Sequence, residues 1–271
     1  MLRHIKYYFK MAYCFTRLST KRQMESLLWF TCFLIALPIR CITGLVIIYV
    51  LVDKFSPMYG WSYEQLVFLY GLSYISDGLT STFGAQVRRI ESFVIRGDFD
   101  RFLVRPLSVI FQLFFKFIYL VGFMEVASGG IVLAYACRKV GFVLSAVNIT
   151  KLVFVIIGAT LIRLSILVVI GSIAFWTKRS ATLIWITDGI ILKTTQYPIS
   201  IYPEIFRALF TFILPFGFVS FYPCTEFFKF GSQFNLPLNF AFWTPVIGFL
   251  TLVLAIRVFE RGLGKYESAG M

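Results

Sequence analysis

The feature that most constrains this chain is a series of apolar runs of membrane-crossing length, separated by short connectors rich in Lys and Arg. The run Leu152–Trp176 carries a single charged residue, Arg163. About 20 consecutive apolar residues suffice for a helix to cross the hydrocarbon layer. Comparable runs cover Leu27–Val52, Tyr63–Gly84, Leu107–Ala136, Ala181–Gln196 and Phe240–Ile256. The pattern predicts an all-α integral membrane protein with six transmembrane helices, forming one membrane domain over residues 1–271. Charged residues make up 14% of the chain, against about 25% in a soluble domain. That is too few to coat a globule, and a soluble enzyme is excluded.

The flanks set the topology. Residues 1–26 place Arg3, Lys6, Lys10, Arg17, Lys21 and Arg22 beside Ile5, Tyr8, Phe9, Ala12, Tyr13 and Phe15 at helical spacing. This predicts an amphipathic interfacial helix on the inner leaflet rather than a cleaved signal. With both termini inside, the inner segments hold sixteen basic residues and the outer segments seven, as the positive-inside rule requires. The formal net charge of +13 therefore reads as a topology signal facing an anionic lipid bilayer, with no nucleic acid as partner. The apolar run Ile205–Tyr222 lies among Pro198, Pro203, Pro215, Pro223 and Pro237. A seventh span there would put the two termini on opposite sides and weaken the charge balance, so residues 197–239 are expected to form a re-entrant outer hairpin before span six.

Little here supports metal or thiol chemistry. The five cysteines form no C-x-x-C pair and His4 is the only histidine, so no metal site is expected. Cys137 and Cys224 fall on the same outer side, where either a disulfide or two buried thiols would fit.

The most informative connector is residues 86–106, on the inner side between spans two and three. Val87, Ile90 and Val94 recur at helical spacing with Arg88, Arg89, Glu91 and Arg96 opposite them, predicting a short amphipathic helix. Gly97 suits its stop, Asp98 the cap of a second turn and Pro106 the start of the next helix. The run from Ile95 to Ser108, I-R-G-D-F-D-R-F-L-V-R-P-L-S, resembles the signature between spans two and three of ABC-2 type permeases, the membrane subunits of type 2 ABC exporters. The run Leu214–Pro223 is similar to the proline-bounded stretch before the last span in that family.

The resemblance implies a division of labour. The connector would be a coupling helix docking on a separate ATP-binding subunit through Arg96, Gly97, Asp98, Asp100, Arg101 and Arg105. ATP and magnesium would then bind to that partner, with no cofactor on this chain, and a second permease copy or a homologous permease would complete a homo- or heterodimer in the bacterial cell membrane. The exported substrate would be hydrophobic or amphipathic: a drug, an antimicrobial peptide, a lipid or a glycan. The sequence agrees in holding no G-x-x-x-x-G-K-[ST] motif; at Gly264-Lys265 the first glycine is replaced by Phe259. This chain is therefore not expected to be an enzyme.

Charged groups inside spans are costly and are usually paired or functional. Helical rise places Asp77 and Lys116 at similar depth, which makes them a candidate pair, and puts Glu125 within reach of Arg40 or Arg163. Ser73, Asp77, Thr80 and Gly84 share one narrow polar face of span two, which suits either helix packing or a translocation path. A membrane scaffold or immunity protein is the competing reading. A membrane enzyme would need reactive polar clusters that the spans lack, and an ion-driven carrier would need broken helices in both halves.

Overall fold

The computed structural model describes residues 2–25, 27–54, 60–228 and 240–267, and every regular element among them is helical. Helix α1 (Leu2–Met24) leads to α2 (Leu27–Lys54) and α3 (Tyr63–Gly84). An elbow follows, with a 3-10 turn at Val87–Arg89, then α4 (Ile90–Ile95) and α5 (Asp100–Leu103). Next come α6 (Val109–Phe115), α7 (Leu120–Val140), α8 (Ala146–Ser172), α9 (Ala174–Thr177) and α10 (Ala181–Gln196). Short pieces including α11 (Glu204–Ala208) and α12 (Phe221–Phe227) precede α13 (Phe240–Leu263). Among the described residues, three stretches are long and apolar enough to cross a membrane: Phe30–Lys54, Leu120–Val140 and Ala146–Thr177.

Local chemistry fixes several boundaries. Ser62 accepts from the Gln65 amide while Gln65 returns a bond to the Ser62 N–H, a reciprocal capping box that starts α3. Gly141, at φ 70°, ends α7 in the left-handed conformation that glycine adopts without strain. Helix α3 is the central element. Its run from Leu66 to Ser76 is buried throughout, so its polar residues meet protein rather than lipid.

Two helix pairs approach unusually closely, and glycine is the reason. Gly78 of α3 faces Gly122 of α7, and a Cβ on Gly122 would lie 2.5 Å from the Gly78 carbonyl oxygen. Gly158 of α8 faces α13 in the same way, where a Cβ would lie 2.5 Å from the Pro245 nitrogen. Small residues let backbones meet where lipid offers no hydrophobic drive to association.

The structure corrects the sequence reading in three places. The expected third span from Leu107 is broken at residues 116–119, and its continuous part starts at Leu120. Helix α1 holds this break open. Ser19 Oγ and Gln23 Nε2 donate to the Ile118 carbonyl at 2.9 and 2.7 Å, and Gln23 Oε1 accepts from the Leu120 N–H at 3.0 Å. Backbone groups freed by the break thus find side-chain partners, as burial demands. In the elbow, Asp98 pairs with Arg101 at 3.2 Å instead of capping a turn. Ser108, not Pro106, caps α6 by accepting from the Phe111 N–H.

Helix α1 also has two different faces. Tyr8, Ala12 and Phe15 turn toward the protein in line with Ser19 and Gln23, whereas Phe9 is 75% exposed and Tyr13 is exposed beside it. The apolar run Ile205–Tyr222 is divided by Leu214 and Pro215 into short pieces. Phe216, Phe221 and Cys224 of this region are buried in the core with Trp61 and Phe68. The part of the expected hairpin at 229–239 and the turn residues 55–59 lie outside the described residues. Cys137 and Cys224 are both free, buried thiols.

Candidate functional site

The elbow is an apolar wedge with a charged tip. Val87, Ile90 and Val94 are buried, as their spacing predicted, and they pack with Phe99, Phe102 and Phe175. At the tip Gly97 turns the chain at φ 70°, with no atom within 4 Å of the Cβ position. Ile95, Arg96, Arg101 and Arg105 are exposed around it, as is Val104 at 82%. Asp98 and Asp100 are half-buried.

Two contacts that sequence reasoning missed fasten this elbow to α10. The Glu91 carboxylate accepts from the backbone N–H groups of Ser180 and Ala181, so a side chain from the elbow caps α10. Arg88 Nε pairs with Asp188 of α10 at 2.9 Å. Asp188 is the sole carboxylate of α10, and that isolation was the available signal.

Four of the charged residues expected inside spans, Arg40, Asp77, Glu125 and Arg163, meet in one cluster. Arg40 Nη2 lies 2.8 Å from Asp77 and Arg40 Nη1 lies 3.0 Å from Glu125. Arg163 Nη1 lies 3.1 Å from the other oxygen of Asp77. Two cations and two carboxylates from α2, α3, α7 and α8 therefore balance. Arg163 also donates to Ser73 Oγ at 2.8 Å and to Thr195 Oγ1 of α10 at 2.6 Å. Thr195 carried no sequence signal, because a threonine in an apolar helix ordinarily donates only to its own backbone, as this one also does to Ile191.

The expected Asp77–Lys116 pair does not form. Lys116 lies in the break before α7, where its ammonium sits 4.0 Å from the centre of the Phe102 ring. Equal depth along two helices had said nothing about their lateral positions. The polar face of span two splits in the same way. Ser73 joins the cluster, Thr80 bonds back to Ser76 of its own helix, and Gly84 packs on Leu167.

Beside the cluster opens a cleft of about 1010 Å³, lined among others by Arg40, Asp77, Arg88, Asp188, Trp185 and Lys193. The Arg163 side chain is 3% exposed, whereas that of Arg40 is 41% exposed and partly faces this space. One side of the cluster is a buried tie between helices. The other is a charged wall.

Apolar helices of membrane-crossing length, joined by a charge-paired core, suit a membrane protein. Residues 39–270 match the family model described as ABC-2 family transporter protein, and the chain belongs to that family, the membrane components of ABC transporters. Comparison with curated proteins and with solved structures gave no match. Helix α1 precedes the matched residues.

Proposed function

We propose that this chain is the permease subunit of an ATP-driven exporter, with six spans, both termini on the cytoplasmic face of a bacterial plasma membrane, and a second permease beside it. The ATP-binding partner carries ATP and magnesium, and the substrate is hydrophobic or amphipathic. The observation that carries this reading is the elbow. It offers Arg96, Gly97, Asp98, Asp100, Arg101 and Arg105 at the position expected for ATPase docking, and it is fastened to α10 through Glu91 and Arg88. A shift of the elbow is thereby passed to a helix that lines the cleft, which supports a two-state exchange of access. In this reading Arg40 and Asp77 border the path, while Arg163, Glu125 and Ser73 hold the helices around it and Thr80 bonds within its own helix. Lys116 belongs to the elbow side.

The test is purification in mild detergent from the native host, with bound proteins identified by mass spectrometry. An ATP-binding subunit is expected in near-stoichiometric amount. Asp98→Lys combined with Arg101→Glu keeps the local ion pair of the elbow but reverses the charge that each position presents. We expect this variant to insert normally and lose the ATPase. Unchanged co-purification of the ATPase with the charge-reversed elbow refutes the docking role.

A further inference from the structure

A second cleft, of about 510 Å³, opens where α1 passes the break between α6 and α7. Lys21, Arg22, Arg105 and Lys116 line it, and Glu25 is the one carboxylate among the lining residues. None of the four cations has an ion pair among the described residues. Burial pushes the Lys116 ammonium below the usual lysine range, and the charges of Arg105 and Arg101 push it the same way. Asp98 acts on Lys116 in the opposite sense, but four cations against one lining carboxylate around a space of this size favour an anion.

The depth of the cleft narrows the choice. Gln23 and Ser19 bond to Leu120 and Ile118, and Leu120 is the first residue of a stretch long and apolar enough to cross a membrane. The cleft therefore lies level with the end of the hydrocarbon, where headgroups sit. Helix α1 exposes Tyr13, Leu18 and Met24 there, as interfacial helices do.

We propose that this cleft is a phosphate-ester site that seats the headgroup of an anionic phospholipid, joining α1 to the elbow through Arg105 and to the start of α7 through Lys116. Oxygens on a phosphodiester can accept from several of these donors together, whereas neutral headgroup surface offers the four cations no net charge. The inference rests on the membrane placement and requires no ATPase.

The test uses the full chain in nanodiscs of phosphatidylcholine containing a minority of phosphatidylglycerol, with retained lipid counted by mass spectrometry after detergent washing. Lys21→Gln with Lys116→Gln should lower phosphatidylglycerol retention about fivefold per cation removed, the worth of a basic side chain at an anionic surface. Lys6→Gln with Lys10→Gln removes the same charge from exposed positions of α1 outside the cleft and should lower retention clearly less than the cleft variant. Equal losses in both variants would mean diffuse attraction and overturn the site, provided the unfolding temperatures match that of the native chain. In discs of phosphatidylcholine alone, inorganic phosphate is the second probe. Stabilisation by phosphate that the cleft variant loses, without retention of phosphatidylglycerol by the native chain, would keep the phosphate chemistry but overturn the lipid as its source. A native chain that responds to neither probe overturns the proposal outright.

Discussion

Replacement of Arg163 by methionine is expected to destabilise the fold by about 3–5 kcal/mol, the usual cost of removing one partner from a buried ion pair. Arg163 is almost fully buried and serves Asp77, Ser73 and Thr195 together. Without it, Asp77 and Glu125 must share Arg40 alone. Two carboxylates then face one cation in a setting of low dielectric, and two hydroxyls lose a donor. The same argument predicts a rescue. Adding Asp77→Asn to Arg163→Met leaves Arg40 and Glu125 as a balanced pair, so the double variant should recover a substantial part of the loss. Thermal unfolding in detergent, followed by size-exclusion chromatography, orders the variants. The expected order is native, then double, then single. A single variant as stable as the native chain, or a double variant less stable than the single, would show that charge balance is not what holds this cluster.

The second large effect is a contrast of sign within one helix. Gly122→Ala places a methyl group 2.2 Å from Thr82 Oγ1, 2.5 Å from the Gly78 carbonyl oxygen and 2.7 Å from the Thr82 nitrogen. Two of these atoms are backbone, so α3 and α7 must move apart. Overpacking of this kind costs about 1–3 kcal/mol even where side chains can shift, and here the neighbours cannot. Gly130, eight residues further along α7, has nothing within 4 Å of its Cβ position. Gly130→Ala should instead gain up to about 1 kcal/mol from helix propensity. Unfolding temperatures measured side by side should therefore move in opposite directions. A fall of equal size for both would mean that α7 tolerates no substitution at all, and that close approach is not the cause.

Parts of this molecule were legible from the sequence because the relevant signal is local. Tyr63–Gly84 and Ala181–Gln196 are helices with the expected bounds, since apolar pattern and flanking polar residues decide them. The burial of Val87, Ile90 and Val94 followed from spacing alone. Depth put Glu125 within reach of Arg40 or Arg163, and the partner in the structure is Arg40. What remained hidden depends on residues distant in sequence. The break at 116–119 interrupts a run that looks continuous, and its partners, Ser19 and Gln23, lie 95 or more residues earlier. Gln23 reads as part of a polar flank until its amide is seen between two backbone groups. Glycines at Gly71 and Gly78, and again at Gly122 and Gly129, share a seven-residue spacing on α3 and α7. That repeat was the overlooked sign of the close approach of α3 and α7.

The way α10 is held has a mechanical meaning. One end of this 16-residue helix is gripped by Glu91 from the elbow. Near the other end Thr195 bonds to Arg163 at 2.6 Å, and its carbonyl accepts from Ser220 at 2.6 Å. The helix is a stiff rod fastened at both ends. A displacement of its elbow end, carried without bending, reaches Thr195 and Ser220 at the far end. The elbow and the buried charge cluster are thus the two attachment points of one short helix, and a variant that loosens either end leaves α10 anchored at the other alone.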